Sequence, residues 1–263
     1  MTRTLSRTER IAWAQLARTP RVGPLTFHRL IAKYRTASAA LEALPRFSDL
    51  SPPSADRIEA EIDGLERINA RLLASSEPDY PTLLAQLDAP PPLLAVRGDI
   101  KWLKQPSIAI VGSREASGAA LMFAERLARD LGAAGFTVVS GLARGLDGAA
   151  HKGALATGTV AVLAGGLDHP YPPQNLKLHE AICERGAVVI LKHLEPVLYI
   201  VCVVDARLRR DAKFGRGHGG AATDSRVESA GWRDGSGRRE LRDRAIERFR
   251  RAARRQRFVL RLG

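Results

Sequence analysis

The sequence predicts an α/β protein: a Rossmann-like parallel sheet with helices on both faces, preceded by a small helical domain and followed by an atypical basic tail. Two observations carry this. After Lys101 short β-rich runs alternate with helix-length segments, whereas before residue 75 the apolar residues recur at helical spacing.

In chain order, Ile11, Leu16, Leu25, Leu30, Ile31, Leu41, Leu44, Ile58, Ile62, Leu65, Ile68 and Leu72 fall on inner helical faces. Breaks at Thr19-Pro20, Gly23-Pro24, Pro45 and Pro52-Pro53 cut residues 1–75 into a bundle, a helix-hairpin-helix or SAM-like domain. The stretch Arg18 to Arg29 spells a hairpin turn whose backbone N–H groups suit a DNA phosphate, although a plain Gly/Pro turn between helices has the same spelling. A Pro-rich connector from Tyr80 to Pro92 leads into Leu93-Leu-Ala-Val-Arg-Gly98, read as a strand or extended arm. Strands are then expected at 108–111, 137–140, 160–163 and 187–191, with helices near 117–134, 147–157 and 174–185. Residues 76–204 are expected to form the Rossmann-like, DNA-binding domain, read as incomplete, and residues 205–263 the basic Arg/Gly-rich tail.

The formal charge of +13 invites a nucleic-acid reading, but its distribution qualifies it. Residues 205–263 hold 18 Lys and Arg against 8 Asp and Glu, a net of +10, so only +3 belongs to the rest. A run of this kind reads as solvated or disordered chain rather than a shaped face. No stretch is long and apolar enough for a membrane span, which points to a cytoplasmic protein with no membrane partner. Cys183 and Cys202 share no metal-ligand spacing and read as buried thiols, so neither metal nor disulfide is expected. His151, His169 and His179 have no carboxylate or nucleophile at catalytic spacing, and they read as polar groups of helices and turns.

The chemistry concentrates where strands end. Ser107-Ile-Ala-Ile-Val-Gly-Ser-Arg114 and Phe136-Thr-Val-Val-Ser-Gly-Leu-Ala-Arg-Gly-Leu-Asp147 each break from a strand into a polar turn before a helix. In doubly wound sheets ligands sit outside the carboxyl ends of the strands. There Gly112 admits close backbone approach, Ser113 offers a hydroxyl and Arg114 a fork of N–H groups. Ser140, Gly141, Arg144 and Gly145 repeat the arrangement, with Asp147 as the expected cap of the next helix. A third turn over residues 164–173 closes the same edge, and its Tyr171 is the best placed aromatic for stacking. Neither G-x-G-x-x-G nor G-x-x-x-x-G-K-[ST] is present, and Ser140 stands where a ribose-binding acid would, so no nucleotide cofactor is expected.

These three motifs in order, with Ala161-Val-Leu-Ala-Gly-Gly-Leu-Asp-His-Pro-Tyr-Pro-Pro-Gln-Asn175 as the third, closely resemble the DprA/Smf DNA-processing family from about residue 79 to 190. The resemblance implies a non-enzymatic protein that binds single-stranded DNA, forms a homodimer and loads RecA recombinase in natural transformation. Carried over by position, it assigns DNA-phosphate contacts to Gly112, Ser113, Arg114, Ser140, Gly141, Arg144 and Gly145, with Asn175 and Lys177 beside them.

After Ile190 the resemblance ends, and the family's Phe-Pro-x-Arg-Asn-Arg segment and Ser-Gly-Ser helix start are missing. A shift of reading frame near residue 190 is one account, under which the sheet loses strands, gains a bare edge and leaves function impaired. The other is a strand at 198–204 and an amphipathic basic helix over 241–262. Two other function classes remain. A LOG-type phosphoribohydrolase would share the phosphate turns but needs a Pro-Gly-Gly-x-Gly-Thr turn that this sequence lacks, and a protein-interaction adaptor would act through the helical domain.

Overall fold

A computed structural model describes residues 4–44, 51–163, 166–167, 170–190 and 258–262 of the chain. The expected strand at 198–204 and the bulk of the tail lie outside them.

Helix α1 (Arg7–Arg18) starts on a reciprocal cap, in which Ser6 accepts from the Glu9 amide while the Glu9 carboxylate accepts from the Ser6 amide. Helix α2 (Pro24–Tyr34) begins with proline at its first position, and α3 (Ala37–Ala43) is capped by Thr36. Helix α4 (Ala55–Arg67) is capped by Ser54. Leu16, Phe27, Ala40, Ile58 and Ile62 bury their apolar stripes against one another, with Trp13 edge-on to Phe27 at 5.0 Å.

Strand β1 (Ala70–Ala74) corrects the helical reading of Leu72. Its alternation decides the matter: Leu72 and Ala74 face the bundle, while Leu73 faces the opposite core. The first 75 residues are therefore not wholly helical, and their last strand is an edge of the sheet. A short helix α5 (Thr82–Ala85) precedes β2 (Leu93–Gly98). Then β3 (Ser107–Gly112), α6 (Gly118–Ala133), β4 (Thr137–Ser140), α7 (Leu146–Ala154), β5 (Thr159–Leu163), α8 (Leu176–Arg185) and β6 (Ala187–Ile190) follow in the expected alternation.

The described sheet has the order β1-β2-β6-β5-β4-β3-β7, the last strand being β7 (Phe258–Leu262). Strands β3 to β6 are mutually parallel, while β1 and β2 add an antiparallel edge, so the sheet is mixed. Strand β7 pairs parallel to β3, with Ile108 opposite Phe258. The outer side of β3 is thus paired, and residues 258–262 are extended where a basic helix over 241–262 was one expectation.

Two layers of apolar side chains cover the sheet. Leu84, Leu94, Val139, Val160 and Val189 share one, and Ile110, Leu127, Leu131 and Val138 belong to another. Helices α6 and α7 approach closely because residue 153 is glycine: a Cβ there would collide with the Glu125 carbonyl. The bundle is stapled to the sheet by Glu77, 5% exposed, which accepts from the amides of Leu5 and Ala74 and from Arg10 at 2.8 and 3.1 Å.

Candidate nucleic-acid interface

The carboxyl ends of the parallel strands form one edge, and the two glycine-bearing elbows meet there through their backbones. The Leu146 amide at the start of α7 donates to the carbonyl of Ser113 beyond β3, at 3.2 Å. Gly145 makes the approach feasible. Its φ of 80° lies in the left-handed region, and a Cβ would stand 2.8 Å from the Arg114 carbonyl oxygen and closer still to that of Ser113. Arg114 and Arg144 are both exposed on this joint. Ser113 is exposed as well; its hydroxyl oxygen accepts from the Glu115 amide at 3.1 Å, which leaves its own proton to donate.

Other expected contacts are turned inward. Ser140 is fully buried and its hydroxyl donates to the Ile110 carbonyl at 2.6 Å, because parallel neighbours on both sides cover the end of β4. It positions β4 against β3. Asn175 spends its amide on the carbonyls of Leu142 and Ala143, at 2.9 and 3.1 Å, and so latches the turn before α8 onto the elbow after β4. Leu142 holds a φ of 57° inside that latch. Lys177, in the first turn of α8, is exposed. Of the third turn, residues 164–165 and 168–169 lie outside the described residues, as does His169, while Tyr171 is 73% exposed beside the latch.

Asp147 was expected to cap α7, but the cap position belongs to Gly145. Its carboxylate instead accepts from the Gly141 amide at 3.1 Å and is hydrogen-bonded by the backbone of Gly112 and Ala143. Burial pushes the Asp147 carboxyl above the usual carboxylate range, against these bonds. The amide donors of Gly112 and Gly141 are therefore engaged by an internal anion. What the edge presents outward is two guanidinium groups and a serine hydroxyl.

Among the described residues, His151 and His179 are held inside the fold. His151 is buried on α7, bonded to the Thr159 hydroxyl at 2.8 Å, and burial lowers its pKa to about 4. Thr159 gives its proton to the Val138 carbonyl, so it accepts from the His151 Nδ1–H, and Nε2 has no partner. A cluster not anticipated from the sequence joins His179, Glu180 and Cys183, whose ligand atoms lie within 4.8 Å of one another. Arg97 grips the Glu180 carboxylate at 3.0 and 3.2 Å, and burial pushes the Cys183 thiol up to about 11. Those conditions favour an ion pair over a packed thiol rather than a metal ligand set.

Residues 71–195 match the family model described as DNA recombination-mediator protein A, and residues 7–64 match the DprA-like N-terminal HHH domain. The chain belongs to the DprA/Smf family. It is similar to protein Smf of Synechocystis sp., with 29% identity over 204 residues covering 70% of this chain and 51% of that protein. The DNA processing protein DprA of Streptococcus pneumoniae is 40% identical over 105 residues, 39% of this chain and 37% of that one. The crystal structure of DNA processing protein A from Streptococcus pneumoniae superposes with a TM-score of 0.52 at 25% identity, over 76% of this chain and 72% of that one. This chain spans about half the length of the Synechocystis relative. The family match covers both elbows and strands β2 to β6 of the sheet that carries them.

Proposed function

We propose that the chain is a non-enzymatic, cytoplasmic DNA-processing protein that binds single-stranded DNA along the carboxyl edge of its sheet. Arg114, Arg144 and the Ser113 hydroxyl hold successive phosphates, Lys177 extends the row, and Tyr171 stacks a base. Gly145 serves by its shape, and Gly112, Ser140, Gly141 and Asn175 fix the elbows without touching the strand. Family membership extends the reading to a homodimer that passes the bound strand to RecA recombinase during transformation.

The observation that carries the proposal is the backbone joint between the elbows, which places two exposed arginines from different strand ends at one edge. Guanidinium contacts to phosphate are indifferent to sequence, as arbitrary incoming strands require, and they weaken steeply with salt. No helix among the described residues is long and apolar enough to cross a membrane. The test is a salt-titrated binding assay with single- and double-stranded oligonucleotides, comparing the intact chain with Arg114→Ala and Arg144→Ala. Selective loss on single strands supports the reading. Equal loss on both, or none, leaves only the electrostatics of the basic tail.

A further inference from the structure

The helical domain divides its charge. Helix α4 holds five acidic residues, and the arginines facing it are ion-paired: Arg7 reaches Glu59, Asp63 and Glu66, and Arg18 reaches Glu61 at 2.8 Å. On the α2 side no acidic residue occurs between Glu9 and Glu42. Arg21, Arg29 and Arg35 are exposed there, and no hydrogen bond or ion pair of the described residues engages their side chains. Along α2 itself Leu25, Arg29 and Lys33 recur at four-residue spacing, all exposed, opposite the buried Phe27.

Topology brings this cationic face to the edge that carries the elbows. His28 of α2 is bonded through Nε2 to the Pro90 carbonyl at 2.8 Å, and Trp13 of α1 donates to the Pro92 carbonyl at 2.9 Å. Pro90 to Pro92 immediately precede β2, and β2 runs antiparallel to β6 with Ala95 opposite Ile190. The start of β2 therefore projects beyond the carboxyl end of β6, at the end of the sheet where β3 and β4 open into their elbows. Three to four strand spacings of about 4.8 Å separate β2 from β4 and β3, a lateral step of roughly 15–20 Å.

The geometry points to a second DNA-backbone contact on α2 and the turn before it, formed by Arg21, Arg29 and Arg35 and continuous with the elbow site along one edge of the molecule. It rests on the DNA reading of that edge. At about 3.4 Å per nucleotide, some five or six nucleotides span the step, so a strand of moderate length engages both and a very short one only the elbows. The occupant is the sugar-phosphate chain, because Arg21, Arg29 and Arg35 are exposed there beside a single exposed leucine rather than an apolar groove.

The test compares the full chain, the triple variant Arg21→Gln/Arg29→Gln/Arg35→Gln, and Arg114→Ala/Arg144→Ala on single strands of about 3 and about 20 nucleotides across a salt series. A control pair, Arg57→Gln/Arg67→Gln, removes exposed arginines from acid-rich α4, and circular dichroism checks each fold. The triple variant is expected to lose about tenfold in affinity on the long strand and to flatten the salt slope by about two, at 0.7 per phosphate. On the short strand it should bind like the parent. Undiminished long-strand binding by the triple variant, an equal loss in the control pair, or an equal loss on the short strand would overturn the inference. If Arg114→Ala/Arg144→Ala has no effect while the triple variant does, the elbow reading fails and the α2 contact stands.

Discussion

At the scale of single residues, the edge depends on one glycine and one carboxylate. Gly145 combines a left-handed φ with backbone crowding from Ser113 and Arg114, so Gly145→Ala must strain or part the elbows. It should cost about 1–3 kcal/mol in urea denaturation and weaken single-strand binding at the same time. Asp147 gathers amides from both elbows, including Gly112 from the neighbouring strand. Asp147→Ala leaves those donors without their acceptor and should cost a further 1–3 kcal/mol or so by the same measurement. The sequence shows an acid in the first turn of a helix, which spells a cap; its carboxylate instead joins the Gly141 and Ala143 backbone to Gly112, on a strand 35 positions earlier, which only the tertiary fold reveals. Ser140 was misleading for a related reason. A polar residue ending a strand resembles a donor for ligand, yet parallel neighbours on both sides bury it.

His151 carries a pH dependence. Folded, it is held neutral with a pKa near 4, whereas unfolded it returns to about 6.5. Between those values the unfolded chain binds more protons, so stability is full above about pH 6.5 and falls as pH drops toward 4, by up to about 3 kcal/mol. Denaturation midpoints at pH 7 and pH 4.5, for the parent and for His151→Gln, measure that share; a parent whose stability is flat across this range contradicts it.

At the scale of elements, alternation was legible because each parallel strand is an apolar run closed by Gly, Ser or Arg and followed by a helix-length segment. The strands at β3, β4, β5 and β6 and the helices between them fall where that pattern puts them. Strand β1 was not legible. Its five residues continue the helical spacing of α4, and the change of period shows only once Leu72 and Leu73 face opposite cores. The junction of bundle and sheet was equally hidden, because Arg10 and Glu77 lie far apart in sequence. Glu77 is almost wholly buried, and removing it takes the counter-charge from the Arg10 guanidinium and the acceptor from two backbone amides. Glu77→Ala should cost about 3–5 kcal/mol in urea denaturation, and a loss below 1 kcal/mol would show that the bundle is held by apolar packing alone.

At the scale of the whole molecule, net charge is a poor guide to the binding surface. Most of the +13 sits in residues 205–263, whereas the proposed DNA edge relies on a few exposed arginines at the elbows and on α2. A tail-driven interaction would be shared by single and double strands, while an edge lined by two elbows and an exposed tyrosine favours a strand whose bases are free to stack. Tyr171→Ala should accordingly weaken single-strand binding about tenfold and leave an abasic strand unaffected.

The central claim is that the joined elbows touch the DNA, and amide hydrogen exchange of the full chain with and without a single-stranded oligonucleotide tests it most directly. Slowed exchange is predicted at residues 113–117 and 143–146 together, persisting at moderate salt. Protection confined to residues 205–263, with both elbows unchanged, would contradict it.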